Sequence, residues 1–581
     1  HGVKDKETLY DPAHNRYIKG VMTGPQFIMK QANQVDTGFS ARNFGKYDSN
    51  GAPMKGGDEG SKTIGTLDIN SLLTHNARNI LQEVSTIKGT KNTEFWNNYM
   101  TGRPLPSPKT PFTYDKFLGM MTASGIKINK EHNALVAAPL TDRDVTEMSS
   151  GEIKSPYTVR AKDLKPETDG LFDVVTTGGS RGTKWGHINL VEPVINPMLK
   201  KPVQMLLNTT EKQLDETIQT QGVNHIKKQL SKIDVKKRMA ELDRTMPSLR
   251  HNELDKAVKE YKYLKSLQKN NLKPHEAYIL NKVPVLPPVM RPISKIAGSN
   301  DLIVSASNKL YSDIISTNNA FKDAKKSLSD SDLGGLRKTL QDSVGALVGT
   351  NNSPNVKLNK QGVKGFLTTL AGPMPKAGFF QSKVVSKPQD LAGRGVIRPV
   401  PTLGMDQVEV PEDMLWQIYR PMVVKRLVSK GYPVTKAMDL MDEKSEVAKQ
   451  ELLLEIKERP VLLNRAPNLH KYNMMAAYPV PTMKKSIGIS PFIEKGQNAD
   501  YDGDAMQVHV PVSRKSVEEA KRMTLPNMLF TDKAKVGNLI ARTEYDTNYG
   551  IHTGINASGK GTSHKFSTYD EMKNAYKNGK I

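Results

Sequence analysis

Asn498-Ala499-Asp500-Tyr501-Asp502-Gly503-Asp504-Ala505-Met506-Gln507-Val508-His509-Val510-Pro511-Val512 joins an acidic cluster to an alternating run. Met506, Val508, Val510 and Val512 alternate with Gln507 and His509, the period-two pattern of a strand with one buried face, and His509 among buried valines reads as structural. Asp500, Asp502 and Asp504 stand at i, i+2 and i+4, so on a regular strand they would share a face yet spread over about 13 Å. Magnesium takes oxygens at about 2.1 Å, so the backbone must curl to gather these carboxylates. Gly503 is the residue able to take the positive φ of such a turn. The spacing therefore predicts a metal-holding loop leading into a strand. Without a cation the three neighbouring carboxylates would repel one another. A calcium-binding EF-hand loop counted from Asp500 would need Gly and Glu where this chain has Ala505 and Pro511. The plain alternative is a polar turn between strands, where Asp and Gly are common. Hard oxygen ligands in a basic chain suit phosphate chemistry, and nucleotidyl transfer is the leading class.

Upstream of the loop, Val396-Ile397, Val408-Glu409-Val410 and Ile487-Gly488-Ile489 add strand signals, and together they predict a small β-barrel or sandwich. One helix is expected from Pro411 to about Lys430, broken at Pro421. Another is expected from about Ser513 to Met523, with a capping box at Ser516-Val517-Glu518-Glu519.

The chain has 581 residues, enough for several domains, and its 84 Lys and Arg against 60 Asp and Glu give a formal charge of +24. Such an excess points to a polyanionic partner, with solubility or a basic structural role as the bland alternatives. Cysteine is absent, which excludes disulfides, thiolate metal sites and cysteine nucleophiles. No apolar run approaches the roughly 20 residues of a membrane span, the first residues lack a signal peptide's apolar core, and the chain reads as soluble. The missing initial Met suggests a processed or excised chain.

Residues 1 to about 70 read as loops and short strands, and Leu67 to about Ile87 as a helix. A short amphipathic segment follows at 113–126, then a polar linker over 127–133. Residues 198–270 predict long exposed helices, Val283-Pro284-Val285-Leu286-Pro287-Pro288 excludes helix, and 301–345 predicts a helical hairpin. Residues 350–395 read as basic loops.

Asn498 to Asp504 resembles the N-A-D-F-D-G-D signature of the β′ subunit of multisubunit RNA polymerases, with Tyr501 in place of Phe. The likeness continues through Met506 to Ser513, and upstream Arg459-Pro460-Val461-Leu462-Leu463-Asn464-Arg465-Ala466-Pro467-Asn468-Leu469-His470 is similar to P-V-L-L-N-R-A-P-T-L-H. Gly393-Arg394-Gly395-Val396-Ile397 resembles G-R-S-V-I, and Val283 to Pro288 with Arg291-Pro292 resembles V-L-P-V-P-P-x-x-R-P. Asn308-Lys309-Leu310-Tyr311 and Asn318-Asn319 fall where the family's clamp helices carry N-x-L-Y and N-N. Ser150 to Pro156, Lys165 to Phe172 and Gly186 to Leu190 resemble the opening of β′. Before residue 130, Tyr10 to Gly45, Pro53-Met54-Lys55-Gly56-Gly57 and Ile64 to Asp68 resemble the C-terminal end of β.

The resemblance implies an α+β, multidomain chain, with a double-psi β-barrel catalytic core and helical clamp segments. Its divisions would be a β C-terminal-like switch or clamp region with linker (1–130) and a β′ clamp-like region with the helical hairpin and no zinc ribbon (131–345). Lid- and rudder-like basic loops (346–395), the barrel with the Asp loop (396–515) and the start of the following β′ region (516–581) would complete it. It also implies that Asp500, Asp502 and Asp504 are catalytic and hold a permanent Mg²⁺, with a second Mg²⁺ arriving with the NTP. About a dozen residues between Phe172 and Gly186 stand where bacterial relatives carry a cysteine zinc ribbon, so no zinc is expected.

By the same resemblance, Arg465 and Asn498 would read the incoming ribose hydroxyls, a task suited to a guanidinium fork and an amide. Arg394, Lys376, Lys383 and Lys387 would touch phosphates of the RNA–DNA hybrid, or else form a solvated basic surface, and Lys55 would sit in a basic turn near the hybrid. His470 is left without an assigned role. Expected partners are polymerase chains carrying the rest of β and β′, including the bridge helix and trigger loop, together with DNA template, RNA product, NTPs and a promoter-specificity factor at the hairpin. No membrane is expected. The chain should be inactive alone. The joined and split arrangement resembles the polymerases of large bacteriophages, implying the cytoplasm of a bacterial host, with packaging in a virion as an open alternative. Two competing readings are a non-catalytic nucleic-acid-binding clamp scaffold and an RNA-templated polymerase of related barrel architecture.

Overall fold

Alternation in the C-terminal part does build a barrel, and it closes. A computed structural model of the chain describes residues 6–24, 34–131, 134–157, 159, 165–296, 298–299, 301–374, 376–529, 552 and 565–578. Six strands form the ring: β1 (Ala392–Pro399), β2 (Gln407–Pro411), β3 (Val461–Asn464), β4 (Met474–Thr482), β5 (Ile487–Ile489) and β6 (Ala505–His509). Their order is β5-β2-β4-β3-β6-β1, and β1 returns to β5. The pairs β1–β5 and β2–β4 are parallel, and the other four are antiparallel. Closure removes the open sheet edges and places Val408, Val410, Leu463, Met475, Ile487, Met506 and Val508 in one apolar interior.

Sequence periodicity locates four of these strands and misses two. Leu462, Leu463, Met475 and Ala476 are all buried, so β3 and β4 show no alternation between core and solvent. Four helices fill the connection from β2 to β3: Glu412–Ile418, Arg420–Ser429, Val434–Asp442 and Glu446–Glu458. The single helix expected from Pro411 is two, parted at Tyr419, with Pro421 inside the first turn of the second, where a missing amide costs nothing. The helix Arg514–Arg522 is capped by Ser513, whose hydroxyl accepts from Ser516 N, rather than by Ser516 itself.

The N-terminal part is built onto this barrel. Strand Ser40–Arg42 pairs with β1, and Lys62–Ile64 pairs with Lys387–Gln389. The helix expected over 67–87 is a pair, Thr66–Thr74 and Arg78–Thr86, separated where Asn76 takes φ 57°. Glu83 accepts from Val512 N and Ser513 N, and Glu519 accepts from Asn79 N and Ile80 N, so carboxylates tie the second helix to the segment after β6. The stretch expected to be a linker is instead part of a hairpin, Ile126–Glu131 against Ala134–Pro139. Ile126 and Ile128 supply the alternation that makes Lys127 to Glu131 a strand.

Ser149–Glu152, Trp185–Ile195 and Ile279–Val285 form a three-stranded sheet, whose core is shared with helices Phe112–Ala123, Ala306–Ala324 and Gly334–Val348. The last two form the expected hairpin. Helices Lys200–Leu206, Glu211–Ser231, Val235–Thr245 and His251–Lys269 have exposed polar faces as expected, and they also enclose an apolar core of their own. The 350–395 stretch is more ordered than its composition suggests. It contains helices Val356–Lys360 and Phe366–Ala371, a π-type turn Phe380–Val385 and strand Lys387–Gln389, anchored by buried Phe366 and Leu370. Of the 516–581 region, residues 530–551, 553–564 and 579–581 lie outside the described residues, as do 132 and 133 of the expected linker.

Candidate active site

The acidic loop joins a short helix, Pro491–Gln497, to β6. Asn498 ends the helix in the left-handed conformation at φ 48°, which an Asn tolerates better than most side chains, and its N–H donates to Lys495 O at 3.2 Å. Ala499 N donates to Glu494 O at 3.0 Å, and at the far end Ile397 N of β1 donates to Asp504 O at 2.9 Å. Between these anchors Gly503 takes φ 112°, a conformation that disfavours side chains, and so turns the chain.

Asp504 is the centre of the local hydrogen bonding. Its Oδ2 accepts from Arg465 Nε at 2.7 Å and from Asp500 N at 3.2 Å, and Arg465 Nη2 lies 2.6 Å from the same oxygen in an ion pair. Arg465 follows β3 directly, and β3 pairs with β6, so barrel register brings these two residues together. Asp500 Oδ1 accepts from Tyr501 N at 2.8 Å. Asp500 and Asp502 are exposed, and Asp502 makes no hydrogen bond or ion pair with the described residues. Among the described residues no group of three or more His, Asp or Glu is gathered as a metal-coordinating set. The loop supplies hard carboxylate oxygens facing solvent on a turned backbone, a donor chemistry that fits Mg²⁺.

The other predicted residues are dispersed. Asn498 is exposed at the start of the loop. Arg394 lies on β1 opposite Gln507 rather than in a loop, with an exposed side chain close to Lys62. Burial, with the charges of Arg394 and Arg42, lowers Lys62 to about 8. Lys55 and Lys376 are exposed. Lys55 is lowered by partial desolvation and by the charge of Lys383, so these two cations are neighbours. Lys383 pairs with Asp48 at 2.9 Å.

Lys387 departs from the expectation of a phosphate contact. It is buried, its ammonium donates to Thr113 Oγ1 and Lys383 O at 3.1 Å each, and burial pushes it down to about 8. The ladder with Lys62–Ile64 turns it inward. His509 is also buried, and burial with the nearby charges of Lys88 and Lys62 holds it well below the usual histidine range, consistent with a structural role. His470 packs its ring against Tyr472 at 5.8 Å.

Sequence reasoning passed over Glu494. It is buried on the helix preceding the loop, and its carboxylate accepts from the Tyr501 hydroxyl. Burial and this carboxylate raise the Tyr501 phenol above its ordinary range, which keeps it a donor. The replacement of Phe by Tyr in the signature was the available signal. Asp68 was not singled out as a contact either, although its carboxylate accepts from Asn468 Nδ2 at 2.6 Å and from Gly65 N at 2.7 Å and so ties the N-terminal part to the segment after Arg465.

A family profile described as RNA polymerase Rpb1, domain 2, matches residues 434–525, the stretch that holds β3 to β6, Arg465 and the acidic loop. The chain is similar to the β′ subunit of bacterial RNA polymerase. It is 28% identical over 542 aligned residues to DNA-directed RNA polymerase subunit beta′ of Lactobacillus delbrueckii subsp. bulgaricus, covering 78% of this chain and 43% of the relative. The subunit of the same name from Streptococcus uberis is 28% identical, covering 75% of this chain and 42% of that one. The chain spans less than half the length of the curated relatives it matches. No helix among the described residues is long and apolar enough to cross a membrane.

Proposed function

We propose that this chain is the catalytic subunit of a multisubunit DNA-dependent RNA polymerase, adding NTPs to an RNA 3′ end in company with chains that carry the rest of β and β′. One observation carries the reading: a loop of three carboxylates, two of them solvent-facing, turned at Gly503 and set into a closed barrel beside Arg465, in a chain similar to β′ over most of its length. The barrel is read as the double-psi type, and helices Ala306–Ala324 and Gly334–Val348 as clamp helices. The part before residue 130 is read as β-like, and the arrangement as virus-encoded.

Asp500, Asp502 and Asp504 would hold the magnesium. When bound, the metal would acidify the RNA 3′-hydroxyl and stabilise charge on the α-phosphate, with a second ion brought by the triphosphate. Arg465 would do two things. Its Nε–H and its charge fix Asp504, while the rest of the planar fork can meet ribose hydroxyls. The Asn498 amide can both donate and accept at the same task. Leu463, Met506 and Val508 are buried in the apolar interior where β3 pairs with β6, the strand that the loop enters. Exposed Lys55 and Arg394 supply positive charge for nucleic-acid phosphates, in keeping with the +24 of the chain.

The test is NTP incorporation by the assembled complex. Asp502→Asn should lower it on the order of a hundredfold or more, because a metal-centred site stands to lose several kcal/mol. Undiminished incorporation would remove the metal role, and a preference for RNA over DNA templates would remove the DNA-dependent assignment.

A further inference from the structure

The acidic loop carries a tether that its signature does not require. Tyr501 stands between Asp500 and Asp502, where the resembled signature has Phe. Its ring is partly buried against the barrel core, while both flanking aspartates face solvent, so the residue pins the middle of the loop from below. A phenylalanine could make this contact by packing alone, which resists displacement into the core but specifies no fixed depth or direction. Tyr501 adds a directional hydrogen bond from its hydroxyl to the Glu494 carboxylate. Glu494 is 5% exposed and belongs to the helix whose end starts the loop.

The same glutamate holds the loop twice. Its backbone carbonyl accepts from Ala499 N at 3.0 Å, one residue before Asp500, and its side chain accepts from Tyr501, one residue after. Asp500 is therefore bracketed by two bonds to a single buried residue. Asp504 is fixed separately, by Arg465 and by Ile397 N. The charge-assisted bond is the kind that specifies position as well as adding energy.

We infer that Tyr501 and Glu494 are a positioning pair for the metal-holding aspartates, setting where Asp500 and Asp502 present their oxygens. This rests on the proposal that the loop holds a divalent ion. In the carboxylate set proposed to bind the ion, removing the hydroxyl should loosen Asp500 and Asp502 without touching a ligand. The loss should appear as weaker metal binding and a higher metal requirement rather than as loss of the fold.

The experiment measures Mn²⁺ binding to the full chain by electron paramagnetic resonance, beside the Mn²⁺ dependence of NTP incorporation by the assembled complex. Tyr501→Phe should weaken binding on the order of tenfold, the size of one charge-assisted bond, and raise the Mn²⁺ concentration for half-maximal incorporation in step. Glu494→Gln, which keeps an acceptor for the hydroxyl, should shift both less than Tyr501→Phe does. Asp502→Asn separates the two ideas. If it abolishes Mn²⁺ binding while Tyr501→Phe matches wild type, the tether is overturned and the metal loop stands. If it leaves binding unchanged, the metal reading itself fails. A circular-dichroism melt of each variant identifies a misfolded one, and a Tyr501→Phe chain that binds Mn²⁺ normally overturns the inference whatever its melting temperature.

Discussion

Lys387 shows how far a side chain's role depends on which way its backbone faces. Its strand pairs with Lys62–Ile64, and the ammonium ends beside Thr113 instead of in water, with burial lowering it to about 8. Below pH 8 the group is charged in both folded and unfolded chains, so its desolvation penalty is present in full. Between about 8 and the ordinary lysine value the folded chain releases a proton that the unfolded chain still holds. Stability therefore rises with pH across that window. Lys387→Met should flatten part of the rise, on the order of 1–3 kcal/mol, in urea unfolding followed from pH 7 to pH 10. An unchanged pH slope would mean that the ammonium is hydrated. At the same scale the turn at Gly503 was legible, because it is a property of residue type and spacing, whereas Asp500, Asp502 and Asp504 are not gathered into one metal-coordinating set among the described residues. Burial of Lys387 and the bond from Tyr501 to Glu494 depend on partners distant in sequence or on an adjoining element, which no local pattern encodes.

Among the elements, helix Glu211–Ser231 carries a break that its composition hides. Gly222 inside it has φ 73° and ψ 166°, and an added Cβ would lie 3.2 Å from Arg337 Nε and 3.4 Å from Glu192 Oε2. Arg337 and Glu192 form a buried pair at 3.0 Å, so the kink lets the helix pass over an ion pair that ties the hairpin helix Gly334–Val348 to strand Trp185–Ile195. Gly222→Ala should cost about 1–3 kcal/mol, from the disfavoured backbone and the crowded pair together, read as a lower urea midpoint with unchanged slope. A midpoint equal to wild type would place the kink elsewhere. Element type was legible where periodicity was strong, as in β2, β5, β6 and the 198–270 helices. It was not legible for β3 and β4, whose residues are buried on both faces. In the 350–395 stretch Gly, Pro and Lys suggested loops, but a few buried apolar residues were enough to order short helices.

Across the whole molecule, the part before residue 130 and the barrel meet in one interior. Arg42 donates to Asp390 at 2.7 Å with both residues buried, Tyr47 donates to the other oxygen at 2.7 Å, and Lys88 donates to Val510 O at 2.9 Å. Burial pushes Asp390 up to about 6 against the opposing pull of Arg42, Tyr47 and Lys88, so the seam is held by a carboxylate that needs its cation. The N-terminal segment completes the outside of β1 and braces the strand whose Ile397 N anchors the acidic loop. No sequence pattern in either half foretold that seam, since it depends on pairing across hundreds of residues. The architecture thus delivers a closed barrel with an acidic loop at its surface, in a chain whose positive charge suits nucleic acid. The metal is proposed to sit in this loop. Fe²⁺ bound in place of Mg²⁺, with ascorbate and peroxide, generates hydroxyl radicals at the metal and cuts the polypeptide around it. Cuts confined to 498–504 and the neighbourhood of Arg465, and lost when Asp500 and Asp502 are both changed to Asn, are the predicted result. Cuts elsewhere, or cuts that persist in that double variant, would contradict it.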